Sequence, residues 1–223
     1  MTASADTLAR SVAATAERLG HHPAIVEGDR TTTYALLNEL TNAASKALIA
    51  SGVRRGDRVG VLLGNQTEWV VMALAAAAIG AVFVPLNTWH KRGELEWTIG
   101  HCRLNLLVSA VRYLRTDYAA TILELIPEAR SSQLQEIRSA RFPSLKSVIF
   151  IGDDSPREVT NWREFLRAGD AVSTAELHTA EQAVSADDIA FVLYTSGSTA
   201  EPKGVLLNHG GVVTNGFELG RRR

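Results

Sequence analysis

The sequence has a single cysteine, almost no net charge and no recognisable targeting segment. Cys102 has no second cysteine to pair with, which excludes an internal disulfide and favours a reducing compartment. Lysine and arginine total 23 against 24 aspartates and glutamates, so a formal charge of −1 gives no electrostatic case for nucleic acid. The first residues carry neither a basic region nor an apolar core, so we expect no secretory signal and a cytoplasmic protein.

Two further absences argue against a histidine-based metal site and against a membrane-spanning segment. The six histidines show no spacing typical of metal ligands, so no metal site is predicted. Val70–Leu86 lacks charged residues and is near the shortest length that spans a membrane, but it contains four consecutive alanines, Gly80 and Pro85. We interpret this segment as a buried helix followed by a buried strand, and we predict no membrane span.

Helical and strand-like patterns alternate along the chain. The predicted helices are Asp6–Leu19, Tyr34–Ser51, Glu68–Ile79, Glu94–His101 and Tyr113–Leu125. The predicted strands are a hairpin of Ala24–Glu27 with Thr31–Thr33, then Val59–Leu63, Ala81–Val84, Leu104–Val108, Val148–Ile151 and Ile189–Tyr194. Asp153–Ala186 is predicted to be an irregular connection with one short helix, Trp162–Ala168. The alternation favours an α/β fold with a mostly parallel sheet and helices on both faces.

The most informative segment is residues 194–205, which read YTSGSTAEPKGV between two strand-like runs. Gly197 allows the backbone to approach a bulky anion, and successive N–H groups in such a turn form an anion-binding nest. Uncharged hydroxyl donors and one cation complete the set, namely Thr195, Ser196, Ser198, Thr199 and Lys203. An ordinary turn is the alternative for such a composition, but the length of the pattern favours a phosphate-binding loop. Since Lys203 is followed by glycine rather than a hydroxyl, the loop is not of the Walker type.

These residues resemble the signature loop of the acyl-adenylate-forming ligases, which include acyl-CoA synthetases, firefly luciferases and the adenylation domains of peptide synthetases. The family pattern is Tyr-Thr-Ser-Gly-Ser/Thr-Thr-Gly-x-Pro-Lys-Gly-Val, and this sequence departs from it at Ala200. If that position needs a positive φ, alanine costs about 1–2 kcal/mol. Further segments resemble the family's "Thr-Tyr-x-x-Leu", "Gly-Asp-x-Val" and "Pro-Leu-Asn" motifs and its histidine after the loop: Thr33–Leu37, Gly56–Val59, Gly80–Asn87 and His209. The resemblance therefore runs from about Leu8 to Gly220.

The resemblance implies an AMP-forming acid–thiol ligase of the acyl-CoA synthetase type. A small carboxylic acid attacks the α-phosphate of ATP and releases pyrophosphate, and a thiol, usually coenzyme A, then displaces AMP. The implied co-substrates are thus ATP with Mg²⁺ and coenzyme A. The resemblance gives ATP phosphate-binding roles to Thr195, Ser196, Gly197, Ser198, Thr199 and Lys203, which would stabilise charge moving to the leaving pyrophosphate. No catalytic residue is assigned.

The resemblance also implies that much of the enzyme is missing from this sequence. Family members are more than twice this length, and the Mg²⁺-binding glutamate, the ribose-binding aspartate and a mobile C-terminal domain with the adenylation lysine would follow the loop. We therefore expect residues 1–223 to form a truncated N-terminal AMP-binding domain with exposed apolar faces and without full activity. Three hypotheses stay open: the N-terminal part of a ligase, an inactive relic or partner-binding fragment, and one half of a split ligase completed by another polypeptide.

Overall fold

The computed structural model of the chain describes residues 7–130, 134–195 and 202–222. Helices and strands alternate along it in the predicted order. The α-helices are α1 Leu8–Leu19, α2 Tyr34–Ala50, α3 Thr67–Ala78, α4 Arg92–His101, α5 Tyr118–Leu125, α6 Trp162–Ala168, α7 Thr174–Gln182 and α8 His209–Arg221. The strands are β1 Pro23–Glu27, β2 Arg30–Thr33, β3 Arg58–Leu62, β4 Val82–Pro85, β5 Leu106–Ala110, β6 Arg112–Tyr113, β7 Thr116–Asp117, β8 Ser147–Ile151, β9 Thr160–Asn161, β10 Ile189–Thr195 and β11 Lys203–Asn208.

A seven-stranded sheet in the order β11-β10-β4-β3-β5-β8-β9 forms the centre of the fold. Its neighbouring strands are parallel except β10 and β11, which are antiparallel, so the predicted mostly parallel sheet is confirmed. The chain passes from β3 to β4 on one side and then to β5 on the other side of β3. With right-handed crossovers this reversal places α3 and α4 on opposite faces of the sheet. Ligands of such sheets bind at the carboxyl ends of the strands near this reversal.

The core lies where the sheet meets its helices, and Phe83 in β4 is at its centre. Phe83 is fully buried, with its ring edge-on to those of Trp69 and Phe191 at centroid distances of 5.0 Å and 5.6 Å. The alanines of α3 let this helix approach α2 closely, since the hydroxyl of Ser45 lies 3.4 Å from the carbonyl oxygen of Ala75. Val70–Leu86 is thus divided between a buried helix and a buried strand, as predicted. Within the described residues, no helix is long and apolar enough to cross a membrane.

The motifs that mark the family resemblance have local structural reasons. Thr33 caps α2, because its hydroxyl accepts a hydrogen bond from the amide of Leu36, and Leu37 is buried on the next turn. Gly56 and Gly80 both have left-handed backbones, with φ of 84° and 70°. The amide of Gly56 donates to the carbonyl of Gly80 at 2.8 Å, so these two turns lie against each other where β3 and β4 begin.

Two predicted segments differ in the structure. The helix predicted over Tyr113–Leu125 begins at Tyr118, because the residues before it form the small β6–β7 hairpin, in which Leu114 has a φ of 53°. The stretch predicted to be irregular, Asp153–Ala186, contains the expected helix Trp162–Ala168 and also α7. Helix α7 buries only Leu177, so it carries little hydrophobic periodicity, but Ser173 caps it and it packs against α2.

Candidate phosphate-binding site

The two ends of the predicted phosphate loop meet at the tip of the β10–β11 hairpin. Thr195 is the last residue of β10 and pairs with Lys203, the first residue of β11. The hydroxyl of Thr195 lies 3.5 Å from the carbonyl oxygen of Lys203, which is a long contact. Both residues are exposed, and no carboxylate of the described residues forms an ion pair with the Lys203 ammonium group.

Part of the predicted site lies outside the described residues. Of the residues predicted to bind ATP phosphate, the structure brings Thr195 and Lys203 together. Ser196, Gly197, Ser198 and Thr199 lie outside the described residues, as does Ala200, the departure from the family pattern. Their phosphate-binding roles stay predictions.

Strand β10 ends with Thr195 at the edge of the sheet where β4 also ends, since the two strands are parallel. The residues that follow β4 form a turn in which the Trp89 amide donates to the Asn87 side chain at 2.9 Å. The Tyr118 hydroxyl donates to the carbonyl of Thr88 in the same turn. Trp89 is 81% exposed, whereas burial lowers the pKa of neighbouring His90. The turn thus has a defined shape at the edge of the sheet where the loop begins.

An aromatic cluster that the sequence did not predict lies behind the hairpin tip. It joins β10 to the end of α4. The Tyr194 hydroxyl is 2.7 Å from Nδ1 of His101, and the rings of Trp97 and His101 are stacked at a centroid distance of 4.4 Å. Burial raises the pKa of Tyr194 well above its usual range, and a hydrogen bond with Cys102 adds to this. The Tyr194 hydroxyl therefore keeps its proton at physiological pH. Only the position of Tyr194, directly before the loop, signals its involvement in the sequence.

Cys102 and His209 are both buried. Burial raises the pKa of the Cys102 thiol, which remains a free, protonated side chain, as expected for a small packed residue. His209 begins α8, and its Nδ1 accepts a hydrogen bond from the amide of Leu8. Its Nε2 has no hydrogen-bond partner in the described part of the chain, and burial lowers its pKa. The histidine that follows the loop thus holds the first helix in place.

No metal centre is found in the part of the chain that the structure describes. Across residues 7–130, 134–195 and 202–222, no group of three or more histidine, cysteine, aspartate or glutamate side chains is placed to hold a metal ion.

Comparisons with known proteins identify a matching family and several relatives. The family model described as "AMP-binding enzyme" matches residues 12–222. YngI of Bacillus subtilis (strain 168) is 32% identical over 215 residues, which cover 96% of this chain and 39% of that protein. The mitochondrial medium-chain acyl-CoA ligase ACSF2 of Danio rerio is 29% identical over 219 residues, covering 97% of this chain and 36% of that protein. The chain therefore spans well under half the length of these relatives.

Solved structures share the fold. The anthranilate CoA ligase AuaEII, crystallised with anthranoyl-AMP, superimposes with a TM-score of 0.73 at 22% identity over 94% of this chain and 37% of that one. The N-terminal domain of FACL13 from Mycobacterium tuberculosis gives a TM-score of 0.65 at 24% identity, over 92% and 44% of the two chains. At these identities the likeness concerns the fold alone. The family match spans nearly the whole sequence and includes both ends of the loop, so this chain belongs to the family of AMP-binding enzymes.

Proposed function

We propose that this chain carries the ATP phosphate-binding part of an AMP-forming acid–thiol ligase. The observation that carries the proposal is the pairing of Thr195 with Lys203 at the carboxyl edge of the sheet. This pairing presents a hydroxyl donor and a cation together, next to the family's signature loop. The acid would be a small carboxylic acid and the thiol coenzyme A, and the single cysteine supports a cytoplasmic location.

The site's own chemistry is electrostatic. As the carboxylate attacks the α-phosphate, negative charge moves to the leaving pyrophosphate. An ammonium group and hydroxyl donors already in position lower the energy of that charge, because they need no reorganisation when it forms. Lys203 supplies the ammonium group and Thr195 one hydroxyl. Ser196, Ser198 and Thr199 would add donors, and Gly197 would leave space for the phosphates.

Calorimetric titration with MgATP tests the proposal. We expect saturable heat from the folded chain and weaker binding, by about tenfold or more, in Lys203→Ala, since a hydrogen bond to a charged group contributes about 1.5–3 kcal/mol. Lys146→Ala is the control for loss of a lysine, and it also removes the hydrogen bond that the Lys146 ammonium group donates to the carbonyl of Pro143. Lys146 precedes β8, at the amino end of that strand, so it lies at the opposite edge of the parallel sheet. A folded wild-type chain that gives no heat would refute the proposal.

A second candidate is a partner-binding fragment or one half of a split ligase. Large apolar side chains exposed along β11 and α8 support it: Val205, Leu206, Phe217 and Leu219. ATP-dependent pyrophosphate exchange by the chain alone would favour a self-sufficient adenylating unit. Exchange that needs an added second polypeptide would favour a split ligase, and a folded chain without nucleotide binding would favour the fragment.

A further inference from the structure

The tip of the β10–β11 hairpin has little support from the sheet. The parallel pairing of β10 with β4 is at Phe191, opposite Phe83, three positions before Tyr194. Strand β11 is at the edge of the sheet and pairs with β10 alone among the described strands. A two-stranded hairpin by itself is marginally stable in water. Thr195 and Lys203 thus lie beyond the bridge to β4 and pair with each other alone among the described strands.

Tyr194 is the residue that connects this tip to the rest of the fold. Its hydroxyl reaches Nδ1 of His101, the last residue of α4, at 2.7 Å. Its ring is edge-on to Trp97 and His101, with centroid distances of 5.7 Å and 5.8 Å. Tyr194 is only partly buried and His101 is exposed. The contact therefore ties the strand end to a helix without being part of the deep core.

The same ring also contacts the second strand of the hairpin. Tyr194 pairs with Gly204, the neighbour of Lys203. A Cβ at Gly204 would lie 3.6 Å from the Tyr194 ring, so the ring lies against the bare backbone of β11 there. The Tyr194 ring thus lies beside both strands, one residue away from each of Thr195 and Lys203.

We propose that His101 and Tyr194 are positioning residues for polyphosphate, and that their hydrogen bond holds Thr195 and Lys203 at the separation that phosphate oxygens require. This inference rests on the proposed function for its ligand. It assigns no contact with phosphate to either residue. The expected occupant is the triphosphate of ATP or any magnesium-bound polyphosphate of similar length.

Matched variants distinguish the effect of the hydrogen bond from the effect of the ring packing. His101→Leu removes the bond, and His101→Asn places an amide group where Nδ1 lies and keeps it, while both variants lose the stacking on Trp97. Tyr194→Phe keeps the ring and removes the bond from the other side, together with the hydrogen bond between Tyr194 and Cys102. His178→Leu controls for loss of a histidine, because His178 is 67% exposed on α7. Because His101 is exposed, we expect all of these chains to fold.

Hydrogen exchange measures the hairpin directly, without any ligand. A neutral hydrogen bond contributes about 1 kcal/mol, so His101→Leu and Tyr194→Phe should speed exchange of the Lys203 and Val205 amides about fivefold. His101→Asn should restore the wild-type rate, and the amides of β5 should be unaffected throughout. The double variant should exchange no faster than Tyr194→Phe alone, because His101→Leu removes only a bond that Tyr194→Phe has already removed. Unchanged exchange at the hairpin tip in His101→Leu would overturn the inference whatever the chain binds.

Calorimetry with MgATP and with magnesium tripolyphosphate then tests the ligand. We expect the affinity for both to fall about fivefold in His101→Leu and Tyr194→Phe and to recover in His101→Asn. An equal loss of affinity for both ligands would show that the substitutions weaken binding of the phosphates and not of the adenosine. Wild-type affinity in His101→Leu, or equal loss in His101→Asn, would overturn the positioning role. If the wild-type chain gave no binding heat, the proposed function would be refuted instead. Faster exchange in the variants would then show that the bond stabilises the hairpin but has no role in ligand binding.

Discussion

His209, the first residue of α8, accepts a hydrogen bond at Nδ1 from the amide of Leu8, the first residue of α1, at 3.3 Å and across 201 positions of sequence. The imidazole is fully buried. A charged imidazolium carries protons on both nitrogens and cannot accept this bond. The contact between the two ends of the described chain therefore requires neutral His209.

Acid should weaken the fold through His209. Burial lowers the pKa of His209 below its ordinary value of 6.5, and the positive charge of Arg10 adds to this effect while Asp188 opposes it. As the pH falls below about 6.5, the unfolded chain takes up the proton before the folded chain does, so the free energy of unfolding falls. Above that pH the contribution is constant. We expect His209→Asn, which keeps an acceptor but does not titrate, to lose less stability than wild type between pH 7.5 and 5.5.

Urea denaturation at the two pH values measures this difference. His90 also has a pKa lowered by burial, and it contributes with the same sign in both proteins, so the comparison isolates His209. His209→Leu leaves the Leu8 amide without its acceptor and should cost about 1–3 kcal/mol at either pH. His21→Asn, at an exposed position, is the control. An identical acid response in wild type and His209→Asn would contradict the prediction.

Gly169→Ala should destabilise the chain by about 1–3 kcal/mol, the usual cost of overpacking. A Cβ at Gly169 would lie 2.8 Å from the backbone nitrogen of Ala47 in α2, and the backbone there cannot move aside as a flexible side chain can. Gly216→Ala, in α8, is the matched control, because its Cβ would enter open space. It should stabilise the helix by about 0.5–1 kcal/mol. Thermal unfolding of the two variants should move in opposite directions, and equal shifts would count against the close approach.

Phe83→Ala should cost about 3–5 kcal/mol, because it removes a fully buried ring from between Trp69 and Phe191. The substitution also removes the ring that packs on Phe191, the residue of β10 that pairs with Phe83, so MgATP binding should decrease as well. Val26→Ala, on a side chain that is 68% exposed, should change stability by less than about 0.5 kcal/mol. The measurement is the free energy of unfolding in urea. A Phe83→Ala protein as stable as the Val26→Ala control would refute the central position of Phe83.

Leu206→Lys should reduce self-association. Strand β11 is an edge strand, and Leu206 is 61% exposed on it. An apolar edge strand pairs readily with other chains, and a lysine there opposes such pairing. Light scattering over time at raised concentration should increase more slowly in the variant. Leu219→Lys is the control, since it removes a similarly exposed apolar side chain from a helix, which has no strand edge. If wild type is a monodisperse monomer that unfolds cooperatively, the expected tendency to associate is wrong.

The sequence predicted most of the element order because the signals that mark elements are local. A hydroxyl that caps a helix, as Thr33 does for α2, and a glycine that ends one, as Gly80 does after α3, act within a few residues. Helix Trp162–Ala168 has the predicted bounds because Asn161 and Glu164 form a capping box that is visible in the sequence. Helix α7 was missed because most of its surface is polar and its position depends on packing against α2.

The sequence by itself determined the family, the loop and the identity of the phosphate-binding candidates, since a long unbroken motif carries that information without reference to any partner. Only the tertiary structure decided what surrounds them. Tyr194 and His101 are 93 positions apart, and they meet only because the fold packs α4 against β10. The burial of His209 likewise depends on the docking of α1, which no pattern near His209 specifies. Contacts of this kind depend on the path of the whole chain, so local sequence cannot encode them.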